Sequence, residues 1–218
     1  MENSQRLDKL KPRMPYKAEK LGVMVGMLLG DASIVKKYPN NIVICHTNKV
    51  RDYFDWKCRV LSSLGYRKNK TRQMHPIVKG KEYSASIVDF VGDDINWFYR
   101  QAYNQDTGKR KVNYLLIRHL NQYGLAVWFM DDGNNCQRSE MKNESYCLNT
   151  QAYGEDEQKM LIKILKKRFD LNPVIHKDKK YFKLYFGAKD NNGLKLQNLI
   201  SPYIHPSMEY KLRWTPKV

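Results

Sequence analysis

Two aspartates occupy matching places in this chain. Asp31 follows the apolar run Leu21–Leu29 and Gly30, while Asp132 follows Leu125–Met130 and a second acid, Asp131. The first run carries Gly22, Gly26 and Gly30 four residues apart, on one side of a helix. Glycine costs about 1 kcal/mol per interior helix position relative to alanine, so three of them imply the close approach of another backbone. The second run offers Gly124 and Ala126 for the same purpose. Two helices packed through small residues, each ending in an aspartate, bring Asp31 and Asp132 together. Carboxylates that close repel each other unless a divalent cation lies between them. Hard oxygen ligands favour Mg²⁺, and two-metal sites hydrolyse phosphodiesters by in-line displacement. A lone aspartate at a helix end is best explained as a cap; two at matching places in a repeated unit are not. Asp131 aligns with Gly30 and reads as structural, with the Gly30 and Asp131 backbone carbonyls as further metal ligands.

The elements that position these acids occur twice, in the order helix, strands, helix, strands, helix. In the first half the spacing predicts a helix over Ala18–Gly30, a β-branched strand over Asn41–Cys45, and a helix with Tyr53, Trp56, Val60, Leu61 and Leu64 on one face, closed by Gly65. A basic stretch (66–73) and the segment EYSASIVDF (82–90) read as paired strands, followed by a helix near Asp94–Tyr103. The second half has a helix over Tyr123–Met130, a strand over Ser145–Tyr153, and a helix opening with Glu155, Asp156 and Glu157, which suit the positive end of its dipole. A hairpin (173–187) and a helix through Leu194–Tyr203 complete it. The division is a basic arm over 1–17, a first repeat over 18–115 and a second over 116–218. In the hairpin, Phe182, Leu184 and Phe186 alternate with Tyr181, Lys183 and Tyr185. The second set makes an aromatic and basic sheet face suited to nucleic acid; the plain alternative is a solvated face.

Charge favours the first reading. Of 218 residues, 39 are Lys or Arg and 22 are Asp or Glu, a net charge of +17 that calls for a polyanion. With 42% hydrophobic residues the chain can bury a core, which excludes wholesale disorder. No apolar run approaches the roughly 20 residues of a membrane-spanning helix, so an integral membrane protein is excluded, and the N-terminus lacks a signal-peptide stretch. Cys45, Cys58, Cys136 and Cys147 show no metal-finger spacing and are expected as free thiols in a reducing compartment.

VGMLLGDAS (25–33) and LAVWFMDDG (125–133) resemble the paired motifs of the single-chain LAGLIDADG homing endonucleases, and the similarity runs on through LNTQAY (148–153) and PYIHPSMEYKL (202–212). The first motif departs at Met24-Val25 and at Ala32. The resemblance implies an α+β fold of two pseudo-twofold-related αββαββα repeats, with two four-stranded antiparallel sheets forming a saddle over double-stranded DNA. It implies a site-specific endonuclease that cuts both strands of a long asymmetric target, leaves 3′ overhangs, acts as a monomer, and uses two or three divalent ions, Mg²⁺ first. Asp31 and Asp132 match the metal-binding acids. Lys211 matches a lysine the family places beside the site; its counterpart lies in Lys109-Arg110-Lys111, where a count back from the second motif favours Lys109. Gln151 matches a position that orders water, with its repeat counterpart near His46. Tyr181, Lys183 and Tyr185, with Lys68, Lys70 and Arg72 in the first half, are the expected DNA contacts. The rival readings are an intron RNA maturase and a non-cleaving DNA-binding regulator on the same fold. Two repelling carboxylates argue for retained cleavage, since a pure binder has no need of them. The Lys, Asn, Tyr and Ile content suggests an AT-rich genome, consistent with a mitochondrion, a chloroplast or a bacterial cytoplasm.

Overall fold

The computed structural model describes residues 17–36, 41–47, 50–78, 80–136, 144–178 and 181–212. Apart from Lys17 the basic arm lies outside them. Two helices form the centre, α1 (Lys17–Leu29) and α5 (Gln122–Asp132). Both are apolar on nearly every side and buried accordingly: Val23, Met24, Val25 and Met27 of α1 and Leu125 through Met130 of α5 are at most 1% exposed. Their backbones meet at the glycines. A Cβ on Gly26 would fall on the Gly124 carbonyl, and one on Gly124 would fall on the Gly22 carbonyl. Asn121 caps α5, its side chain accepting the Gly124 N–H at 2.8 Å.

Each central helix leads into a sheet. After α1 come β1 (Ser33–Val35), β2 (Asn41–Thr47), α2 (Arg51–Ser63), β3 (Arg67–Lys68), β4 (Arg72–Met74), the small hairpin β5 (Ile77–Val78) and β6 (Lys81–Glu82), then β7 (Ala85–Val91) and α3 (Ile95–Ala102). The first sheet runs β1-β2-β7-β3, with β4 also on β7. Its fourth position is therefore shared by two short strands, where the family likeness implied one. A short α4 (Tyr114–Ile117) bridges to α5. The second sheet, ordered β10-β11-β9-β8, is built from β8 (Gly133–Asn135), β9 (Tyr146–Leu148), β10 (Val174–Asp178) and β11 (Tyr181–Phe186), with α6 (Glu155–Phe169) between its two pairs and α7 (Asn192–Ile200) after them. All strand pairs are antiparallel. The acidic first turn of α6 is present as expected, and Glu157 there also accepts the Gly154 N–H at 2.9 Å and the Val112 N–H at 2.7 Å. Helix α6 is thereby tied to the segment joining the two halves.

Two expectations are corrected. The strand expected over Ser145–Tyr153 ends at Leu148, and Asn149 to Tyr153 form a turn closed by Tyr153 N–H to the Thr150 carbonyl at 3.0 Å. Buried Gln158 holds that turn, its side chain bonding Thr150 at both its hydroxyl and its carbonyl. Nor are all the cysteines free: Cys136 and Cys147 form a disulfide with Cα atoms 6.2 Å apart. The β8–β9 register sets Asn134 opposite Cys147, which makes Cys136 a diagonal neighbour on the same face. Cys58 is buried and unpaired, and burial pushes its thiol pKa up.

The crossing of α1 and α5 leaves no room for a side chain. Overpacking costs about 1–3 kcal/mol, and each kcal/mol moves the melting temperature of a domain this size by about 2–4 °C. Gly26→Val and Gly124→Val are therefore expected to melt lower by about 2–12 °C in a circular-dichroism scan. Gly154→Ser, at the start of α6 where a Cβ meets only Glu157 Oε2 at 3.8 Å, should stay within about 2 °C of the parent.

Candidate active site

The C-terminal ends of α1 and α5 lie together, and three carboxylates gather there. Asp131 is the innermost. Its side chain is 0% exposed, as is that of Lys57 from α2, whose ammonium donates to both carboxylate oxygens at 2.9 Å. Tyr53, one turn earlier on α2, donates to Oδ1 at 2.8 Å, and the Asp31 backbone N–H donates to Oδ2 at 3.0 Å. Burial raises the Tyr53 phenol pKa, and the neighbouring Asp131 charge raises it further. Asp131 is thus a framework residue that joins the two halves. Neither Lys57 nor this role of Tyr53 was anticipated. The signal was present: Lys57 lies in the same apolar stripe as Tyr53, Val60 and Leu61, and a charge there requires a buried partner.

Asp31 and Asp132 are open by comparison. Asp31 reaches solvent and Asp132 is half-buried. Among the described residues neither carboxylate forms an ion pair. Burial raises the Asp31 pKa, and the Asp131 charge adds to it. The deeper Asp132 is pushed from its ordinary 3.8 to about 7, by burial first and then by Asp31 and Asp131, against the pull of Lys211 and Arg110.

Those two cations sit on the helix ends rather than on the acids. Lys211 donates to the carbonyls of Met130 at 2.6 Å and Asp131 at 2.9 Å. Arg110 donates to the carbonyls of Gly30 at 2.7 Å, Leu28 at 3.3 Å and Ala32 at 2.6 Å. Each neutralises the negative end of a helix dipole. Burial draws the Lys211 pKa down while Asp131, Asp31 and Asp132 hold it up. The same 101-residue offset carries Asp31 onto Asp132 and Arg110 onto Lys211. Lys109, which the count from the motif favoured, is exposed, and its carbonyl closes a turn with Asn104 N–H at 2.8 Å. Arg110 is the member of that run bonded to the end of α1. The Gly30 and Asp131 carbonyls each accept one of these cations, which uses one of the two lone pairs on each oxygen.

Gln151 is half-buried in the turn after β9, its amide 3.5 Å from Asn149 Oδ1, while the Asn149 N–H bonds the Asp132 carbonyl at 3.0 Å. His46 pairs through its backbone with Ser86; its side chain lies outside the described residues. On β11, Leu184 and Phe186 are buried and Phe182 is partly so, while Tyr181, Lys183 and Tyr185 project from the opposite face. There His176 of β10 stacks on Tyr185 with ring centroids 4.3 Å apart. In the first half Lys68 and Lys70 are exposed, and Arg72 donates to Asp89 at 2.6 Å on the sheet face away from Val88 and Phe90.

Residues 21–194 match the model of the LAGLIDADG DNA endonuclease family. The chain belongs to that family. A probable intron-encoded endonuclease from Wickerhamomyces canadensis is 37% identical to this LAGLIDADG chain over 198 residues, covering 87% of it and 81% of the relative. A cytochrome b mRNA maturase, bI2, from Debaryomyces hansenii is 25% identical over 223 residues, covering 95% of this chain and 79% of its own. Among solved structures, the homing endonuclease I-WcaI, bound to its DNA recognition sequence, superposes with a TM-score of 0.74 at 22% identity over 97% of this chain and 99% of that one. That likeness shows the LAGLIDADG fold.

Two outcomes follow from the site's electrostatics. Removing Lys57 alone strands a buried charge, so Lys57→Met is expected to lower unfolding free energy by about 3–5 kcal/mol, read from urea melts. For Asp132 the folded pKa lies above the unfolded one. Between pH 4 and about 7 the folded state holds the extra proton, so metal-free protein loses stability as pH rises through that window. In thermal melts at pH 4.5 and 7.5 without divalent ions, Asp132→Asn should lose less stability on the alkaline step than the parent.

Proposed function

We propose that this chain is a divalent-metal-dependent endonuclease that cuts both strands of a long, asymmetric double-stranded DNA site, leaving 3′ overhangs, and acts as a monomer. The observation that carries the reading is the pair Asp31 and Asp132: two unpaired carboxylates of raised pKa at the joined ends of α1 and α5. Support comes from the similarity to a probable intron-encoded endonuclease and to a homing endonuclease bound to its DNA recognition sequence. Among the described residues no group of three or more His, Cys, Asp or Glu forms a metal cage. A donor set of two hard carboxylates fits Mg²⁺, which keeps several waters and takes phosphate oxygens as further ligands. When bound, such an ion supplies Lewis-acid stabilisation of the phosphate and a more acidic water.

The chain's own residues do the rest. Asp31 and Asp132 would hold the cation at the joined ends of α1 and α5. Lys211 and Arg110, fixed on backbone carbonyls, keep two positive charges beside the scissile phosphates, where they stabilise charge that develops in the transition state. Gln151, in the turn that also carries Asn149 against the Asp132 carbonyl, orients water at the second acid. Tyr181, Lys183 and Tyr185, with Lys68, Lys70 and Arg72, contact DNA. Base readers among them set sequence preference and phosphate holders set affinity.

Asp31→Asn and Asp132→Asn are each expected to abolish cutting of a plasmid carrying the intronless sequence around this reading frame, with DNA binding retained in a gel-shift assay. Double-strand cutting by either variant removes the assignment. If about six phosphates are contacted, log K for binding should fall against log salt with a slope of roughly −5; a slope near zero contradicts a long footprint. Against a library of single-base target variants, Lys183→Ala should relax preference only in the half-site under the second sheet. The maturase relative supports a second reading, assistance to intron splicing, and binding of the host intron RNA without cutting of its DNA site would favour it.

A further inference from the structure

We propose that Lys57 is a positioning residue that holds Asp31 in place through Asp131, and that this device makes the two acids of the site inequivalent. The inference rests on the endonuclease reading above and adds to it an order between the two cuts. A buried ion pair is seldom kept for stability, because apolar residues of like volume serve as well or better. This one joins both repeats: Lys57 and Tyr53 from α2 of the first, Asp131 from α5 of the second. Between them they fix both oxygens of Asp131, and the carboxylate so fixed also accepts the Asp31 backbone N–H. A charge-assisted bond to an immobile carboxylate is a firm anchor for a residue that follows a helix end.

Asp132 has no such anchor. The position equivalent to Asp131 in the first repeat is Gly30, which has no side chain to offer. Asp132 instead lies in the last turn of α5 and is held by that helix. Loss of the Lys57–Asp131 pair therefore loosens Asp31 and leaves Asp132 where it is. The cut that depends more on Asp31 slows more, and a DNA nicked in one defined strand accumulates.

The test uses the full chain with Lys57→Met and Asp131→Leu combined, so that neither charge is left buried alone, and Tyr53→Phe as a milder variant that removes one donor. Amide hydrogen exchange at Asp31 and Asp132 is followed by NMR. Cutting in Mg²⁺ is followed on a supercoiled plasmid carrying the intronless sequence around the reading frame, with the two strands labelled separately. In the double variant the Asp31 amide should exchange at least tenfold faster and the Asp132 amide at its parental rate. Cutting of one strand should fall at least tenfold more than that of the other, with Tyr53→Phe intermediate in both measurements. An unchanged Asp31 amide in either folded variant overturns the anchor, and equal slowing of both strands overturns the inequivalence. If the parent chain cuts neither strand, the endonuclease reading fails by itself, and the amide measurement still decides whether Lys57 positions Asp31.

Discussion

Everything at the centre of this molecule depends on how closely two backbones can approach. Gly26 and Gly124 let α1 and α5 meet carbonyl against α-carbon, a separation that no other residue type permits. At that distance the helix ends coincide, and their acids are brought within each other's field. The remaining chemistry is a response to that crowding. Three carboxylates, Asp31, Asp131 and Asp132, share the pit with three cations, Lys57, Arg110 and Lys211. Only Lys57 pairs directly with an acid, and it chooses the one that carries structure. Arg110 and Lys211 are occupied by carbonyls, so the two remaining carboxylates keep their oxygens available.

The sequence made the helices and their acids legible because both are local signals: glycine at four-residue spacing, an apolar run, an acid at its end. The hairpin alternation of β11 was legible for the same reason, since a period of two is read without knowing what lies opposite. What escaped was whatever required a partner from far along the chain. Lys57 and Asp131 are separated by 74 residues, and nothing near either one names the other. That Arg110 rather than Lys109 bonds the end of α1 was not legible, because the turn from Asn104 to Lys109 sets which of three adjacent basic side chains reaches it. The disulfide followed from the β8–β9 register, which the overlong strand expected over Ser145–Tyr153 would not have supplied.

The two sheets handle charge differently on the face turned from the helices. The second presents Tyr181, Lys183 and Tyr185 with a stacked His176. The first sets an acid among its bases: Asp89, with Arg72 across it at 2.6 Å. Such a pairing limits the rotamers of a long side chain, so Arg72 is more restrained than Lys68 or Lys70. The halves thus share a plan of elements while differing in the surface each would offer a duplex.

The pair Gly30 and Asp131 also bears on how such a site can be assembled at all. A Cβ on Gly30 would collide with the Asp131 side chain, so the aspartate can stand on one side of the axis only if the other side is bare. Two identical subunits cannot meet that condition: both would carry the aspartate or both would lack it. Two copies of the second half, brought together by the same crossing, would drive their own Asp131 side chains into one another. The keystone of this centre is therefore available only to halves of different sequence, and a single chain carrying both repeats supplies that difference in one molecule.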